Sequence, residues 1–136
     1  MKNYYLNFLT IITAVLFLTN SYGQDVNTSV AGANTSTAPP GAISATVEIW
    51  GAGGAGGGSR TNGREGAGGG GGGYSFRTFT VIPGQTINYD VGAGGDGGTN
   101  DGENGEQTTL THVPSGTNMN AHGGRGGDRN NDGAAG

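Results

Sequence analysis

The chain is 136 residues long, with 32 glycines, no cysteine, one tryptophan and a formal net charge of −4. That length fits one domain. The lack of cysteine excludes a disulfide framework and thiolate metal sites. The acidic balance argues against nucleic acid or an anionic membrane surface as partner, because both require a basic footprint.

The N-terminus reads as an export signal over residues 1–23. Lys2 supplies a positive start, Leu6 to Leu18 is an apolar run, and Ser21 and Gly23 are small residues before a cut at Gln24. The run is too short for a comfortable membrane span. Export without disulfides suggests a bacterial protein, secreted or held on the outer cell surface. The remainder has no lysine. Five arginines (Arg60, Arg64, Arg77, Arg125 and Arg129) stand against ten carboxylates, a net charge of −5.

Residues 24–44 are rich in Ser, Thr, Asn and Pro without periodicity, and are expected to form a flexible linker. The Asn-Thr-Ser triplets at Asn27 and Asn34 match a glycosylation acceptor, here by chance. A glycine-rich domain is expected over 45–136. Its first strand is Ala45 to Trp50, with Val47 and Ile49 on one face. Tyr74 to Ile82 is aromatic and β-branched, a second strand. Pro83-Gly84-Gln85 is a turn, and Thr86 to Val91 alternates again, so these two segments predict a hairpin. Gln107 to Val113 is a fourth strand, ended by Pro114-Ser115-Gly116. No segment after the signal peptide has a helical apolar stripe. The candidate core is thin: Val47, Ile49, Trp50, Tyr74, Phe76, Phe79, Val81, Ile82, Ile87, Tyr89, Val91, Leu110 and Val113.

Glycine tracts separate the strands, and they keep a period of three. Ala52, Ala55 and Gly58 are spaced by Gly-Gly pairs. So are Ala93, Asp96 and Thr99, and again His122, Arg125 and Asp128; Gly66 to Gly73 fits the same phase with Ala67 as its one side chain. A polyproline II helix has three residues per turn and no internal hydrogen bonds. With X-Gly-Gly every side chain falls on one edge, and the glycine edges can approach neighbouring chains closely. The expected fold is therefore mainly β: a small scaffold of strands carrying polyglycine II helices packed side by side.

Few residues are candidates for chemistry. Gly51 to Gly56 and Gly92 to Gly97 match G-x-G-x-x-G after a strand, but glycine follows where a dinucleotide site needs a helix. Asp128, Asn130 and Asp132 match the first half of a calcium loop, without flanking helices or the closing glutamate; turn formation accounts for the same residues. His112 and His122 lack spaced ligand partners. Ser75 and Ser115 have no evident base, and Glu103 and Glu106 sit in a polar turn. No catalytic or cofactor-binding residue is expected. Trp50, Tyr74 and Tyr89 are either an exposed carbohydrate platform or, more in keeping with so thin a core, part of that core.

The order of "VEIWGAGG", "GGGGGGYSFRTFTVIPGQTINYDVGAGGDGG", "GENGEQTTL" and "AHGGRGG" resembles a glycine-rich domain. That domain occurs in secreted and surface proteins of bacteria such as flavobacteria and in phage tail-fibre tips. The resemblance covers Ala45 to about Gly127. It implies a β scaffold with packed glycine helices, as in some phage adhesins and the glycine-rich region of certain receptor kinases, and no catalytic residues. It further implies ligand loops at the helix tips, here Arg60 to Glu65 and Thr99 to Glu106, with Arg60, Arg64, Glu65, Asn100, Asp101 and Glu103 as candidates. The family usually continues beyond the "NNDGAAG" end, which implies a truncated product. The expected function is a non-enzymatic secreted or cell-surface adhesive module with a cell-surface or glycan ligand. The alternatives are ice binding, with Ala52 and Ala55 on a flat face, and an accessory module of a larger secreted protein whose effector or enzyme lies beyond this chain.

Overall fold

A computed structural model of the chain describes residues 23–59, 65–112 and 116–129. The expected signal peptide lies almost wholly outside them. The described residues form six strands and no helix. They are β1 (Gly32–Thr37), β2 (Ser44–Trp50), β3 (Tyr74–Thr80), β4 (Thr86–Val91), β5 (Thr108–His112) and β6 (Thr117–Ala121). One sheet has the order β1-β4-β5-β6 and the other is β2-β3, with every pairing antiparallel.

Alternation fixes which side chains enter the space between the sheets. In β2 and β3, Ala45 pairs with Phe79 and Ile49 with Ser75 on the inner face, while Glu48 pairs with Phe76 and Trp50 with Tyr74 on the outer face. In the larger sheet Ser36 pairs with Ile87, Tyr89 with Leu110, and Leu110 with Met119. The core comprises Ala38, Ile49, Phe79, Val81, Ile87, Leu110, Met119 and Ala121, with Ala42, Ala45, Val47 and Tyr89 packed against it. Burying each large member contributes about 1.5–3 kcal/mol. Trp50, Tyr74, Phe76 and Ile82, expected inside, are exposed because they share the outer parity of β2 and β3 or, for Ile82, lie past the end of β3.

Three expectations are corrected. Residues 32–37, read as linker, form β1, whose ladder with β4 runs from Gly32 opposite Val91 to Thr37 opposite Thr86. Its small polar residues hide the signal, since only Ala38 at its end is buried in the core. The hairpin expected from Tyr74 to Val91 does not form. The turn is present, with the Gln85 amide donating to the Ile82 carbonyl at 3.0 Å and φ of +80° at Gly84. After it the chain enters the other sheet: the Gly84 amide donates to Ala38 O and the Ala38 amide to Gln85 O, both at 2.8 Å. β3 pairs instead with β2, and Val81 N extends that ladder to Ile43 O at 3.1 Å. Lastly, β6 was not expected, yet Met119 and Ala121 alternate inward across from Leu110 and Thr108.

Candidate functional site

Trp50 ends β2 and Tyr74 begins β3, and beyond this pair the two chains leave the sheet as glycine tracts. The ladder continues as Gly51 N to Gly73 O at 2.8 Å, Gly54 N to Gly70 O at 2.9 Å and Gly57 N to Ala67 O at 2.9 Å. Bonding now recurs every third residue instead of every second. The same step relates all five tracts, 51–58, 66–73, 92–98, 100–106 and 122–128. Tract 51–58 donates from Ala52, Ala55 and Gly58 to the carbonyls of Glu106, Glu103 and Asn100, and accepts from Gly95, Gly124 and Gly127. Tract 122–128 accepts from Gly73, Gly70 and Ala67 at His122, Arg125 and Asp128, and from Gly102 and Gly105 at Gly127 and Gly124. Glu103 and Glu106 donate from their amides to Asp96 O and Ala93 O.

These partners define two rows. Tract 51–58 lies between 66–73 and 92–98. Tracts 122–128 and 100–106 bond to each other and nest over that row. Where rows meet, glycine is obligatory. A β-carbon on Gly54 would overlap the Arg125 carbonyl, one on Gly124 that of Gly70, and one on Gly105 that of Ala52.

The outer side of the three-tract row differs. Gly68 and Gly71 have nothing within 4 Å of an added β-carbon, and for Gly53, Gly56, Gly94 and Gly97 the nearest atoms are 3.8, 3.5, 3.9 and 3.7 Å away. All six are exposed, and their amides have no hydrogen-bond partner among the described residues. Packing does not require glycine at these positions. The other row carries polar side chains. Arg125 Nη2 lies 3.5 Å from Asp128 Oδ1, Asn104 Oδ1 accepts from Gly126 N at 2.8 Å, and Asp101 Oδ1 accepts from Arg129 N at 2.8 Å.

The second feature is the outer face of β2 and β3. Trp50, Tyr74 and Phe76 are 59, 55 and 56 % exposed. The Trp50 and Tyr74 rings lie 5.2 Å apart, tilted by 42°. The Tyr74 hydroxyl donates to Glu48 Oε2 at 3.1 Å. Its pKa is held above the ordinary 10.0 by partial desolvation, by this hydrogen bond and by the Glu48 charge. With the ring more than half exposed, the carboxylate is the cause that a substitution can isolate. One step further along the face, the Thr46 and Thr78 hydroxyls are bonded at 3.0 Å.

The glycine-rich domain family matches residues 28–136, most of the chain. The chain belongs to that family. No curated protein and no solved structure matches it.

In this glycine-rich domain the expected ligand loops fare differently. Arg60 and Arg64 lie outside the described residues, and Glu65 is exposed beside them. Asn100, Asp101 and Glu103 are not a free loop. They belong to tract 100–106, where Asn100 O and Glu103 O accept backbone bonds and Asn100 Oδ1 accepts from Arg129 Nη1 at 3.2 Å. Glycine at 102 and 105 was the available signal. It was weak because this outer tract needs glycine at only one phase, the one facing tract 51–58. Asp128 is described, while Asn130 and Asp132 are not. Among the described residues no group of three His, Cys, Asp or Glu side chains could hold a metal ion. Ala52 and Ala55 are half-buried, and the Ala55 β-carbon lies 3.8 Å from a β-carbon added at Gly97, at the edge of the open glycine face. Phe76, not Tyr89, completes the aromatic cluster, since Tyr89 is packed against the core.

Proposed function

We propose that the domain is a non-enzymatic structural and adhesive module of an exported protein, in which the five tracts are polyglycine II-type helices that rigidly display the surrounding surface. One observation supports this reading above others: amide-to-carbonyl bonds between tracts recur at a strict step of three. That step is the turn of a polyproline II backbone. A rigid, side-chain-poor bundle suits display more than catalysis, which needs convergent reactive groups. The export signal at residues 1–23 favours a place outside the cell or on its outer surface. The test is adhesion of the purified chain to bacterial cells and immobilised glycans, with residues 60–65 exchanged for a Ser-Gly segment in a second protein. Adhesion that falls on exchange supports display of a ligand loop there. A folded protein that adheres to neither cells nor glycans defeats the adhesive reading.

A second reading is favoured by the open glycine face. Six exposed glycines on three adjacent tracts present bare backbone where side chains would fit. A flat surface of that kind suits binding to an ordered surface such as ice. Measuring thermal hysteresis decides it: freezing-point depression without a matching change in melting point supports ice binding, and none excludes it.

A further inference from the structure

The outer face of β2 and β3 combines features that are costly to leave in water unless used. Trp50 is the only tryptophan of the chain. It sits with Tyr74 and Phe76 in one exposed patch, although large aromatic side chains gain most from burial. The sequence had a cheaper arrangement available. Polar residues occupy the other outward positions of the same strands, Ser44, Thr46, Thr78 and Thr80, so outward parity does not itself demand aromatics.

We propose that this face binds a neutral carbohydrate chain. Sugar C–H faces stack on the Trp50, Tyr74 and Phe76 rings, and Glu48 accepts hydrogen bonds from sugar hydroxyls. The proposal deepens the adhesive reading by naming a ligand class, and it rests on that reading only for its biological setting.

Three observations select this occupant. First, the patch is amphipathic along its length. Rings lie at one end, the Glu48 carboxylate beside them, and the Thr46–Thr78 hydroxyl pair beyond. The seven-residue strands make it about 20 Å long, room for a short oligosaccharide. A sugar alternates apolar ring faces with hydroxyls in the same manner. Second, Glu48 is already oriented. Tyr74 donates to Oε2, which leaves Oε1 to accept from a ligand. Third, the other occupants fit poorly. A second copy docked face to face would bury the Glu48 carboxylate of each copy, and charge is depleted at the centre of protein interfaces. An anionic lipid or nucleic acid would meet a carboxylate with no lysine in the domain.

The single tryptophan makes the test direct, because Trp50 emission reports from the site itself. The full chain without its signal peptide is titrated with cellohexaose, xylohexaose, mannohexaose and chitohexaose, following Trp50 fluorescence and calorimetric heat. The expected result is a saturable change with at least one sugar. Trp50→Ala, followed by calorimetry, and Phe76→Ala are each expected to weaken binding about tenfold or more. Glu48→Gln weakens it several-fold while stacking persists. Circular dichroism and the unfolding midpoint establish that each variant is folded. The proposal is overturned if no sugar changes emission or heat at millimolar concentration. It is equally overturned if Trp50→Ala binds like the parent, or if Trp50 emission shifts with protein concentration alone, which marks self-association. Cell adhesion separates this proposal from its setting. Adhesion that survives Trp50→Ala leaves the module adhesive without this platform; sugar binding without adhesion leaves the platform without an adhesive role.

Discussion

Gly54 lies against Arg125 so closely that any β-carbon on Gly54 would occupy the position of the Arg125 carbonyl, whereas Gly53, its neighbour in sequence, faces open solvent. One residue of offset therefore separates a glycine that packing demands from one that it does not. Gly54→Ala or Gly124→Ala should destabilise the domain by about 3 kcal/mol or more, because backbone on both sides must move. Gly53→Ala should be neutral or stabilise by about 0.4–1 kcal/mol through the unfolded chain. Chemical denaturation midpoints of the three variants check this. Equal midpoints would mean that the tracts do not pack as described.

The β1 ladder gives a second prediction. Removing residues 24–31 should leave stability nearly unchanged, since they lie before the first strand. Removing residues 24–38 should lower it sharply. That deletion strips β1 from β4, exposes the Ile87 edge and takes Ala38 from the core. Hydrogen exchange at Ile87 and Tyr89, whose amides face β1, would report the loss of their sheet neighbour directly. If both truncated proteins unfold alike, the segment is the tether that its composition suggests.

Much of this architecture was legible because two periodicities are written openly. Val47 and Ile49 alternate as a half-buried strand must, and the Gly-Gly pairs around Ala52, Ala55, Arg125 and Asp128 keep triplet phase. What escaped notice has a common cause. β1 is made of Gly, Ala, Asn, Thr and Ser and contributes backbone pairing rather than side-chain burial, so hydropathy carries no trace of it. Tract 100–106 shows a single glycine per turn, because only one of its edges meets a neighbour closely. The Tyr74–Val91 hairpin failed because a Pro-Gly turn fixes chain reversal but not which sheet receives the next strand. Strand parity, in turn, separates Phe79 from Phe76. The first is three residues from the second and so points the other way, into the core.

The core should respond in proportion to burial. Leu110→Ala, at the centre of the four-stranded sheet, should cost about 2–5 kcal/mol, and Phe79→Ala about 3–5 kcal/mol. Phe76→Ala, exposed on the same strand as Phe79, should cost less than about 1 kcal/mol, the scale of a cross-strand contact. Thermal unfolding of the three variants tests the inner and outer assignment of β3. A Phe76 variant as damaged as Phe79 would reverse that assignment.

Tyr74 should titrate above 10.0, raised by partial desolvation and by the Glu48 carboxylate bonded to its hydroxyl. Because its folded-state pKa is raised, its stabilising contribution is complete below 10.0. It is lost as the pH climbs through the folded value. Glu48→Gln removes the charge and should bring the titration back toward 10.0. Ultraviolet absorbance of the phenolate, with Tyr74→Phe as the reference that identifies the signal, measures both. An unchanged curve in Glu48→Gln would show that desolvation alone sets the shift.

The open glycine face permits a test in which fold and surface are independent. Added β-carbons at Gly53, Gly71 and Gly94 meet nothing closer than 3.8 Å, and none of the three has a positive φ. The triple variant Gly53→Tyr, Gly71→Tyr and Gly94→Tyr should therefore keep its unfolding midpoint within about 1 kcal/mol of the parent while replacing flat backbone by three protruding rings. If the parent depresses the freezing point, this variant should lose that activity while remaining folded, because contact with a planar lattice tolerates no protrusion. Activity that persists in the variant would move ice contact to another surface. The polar row bearing Arg125 and Asp128 would then be the next to examine, by the same substitutions at its exposed positions.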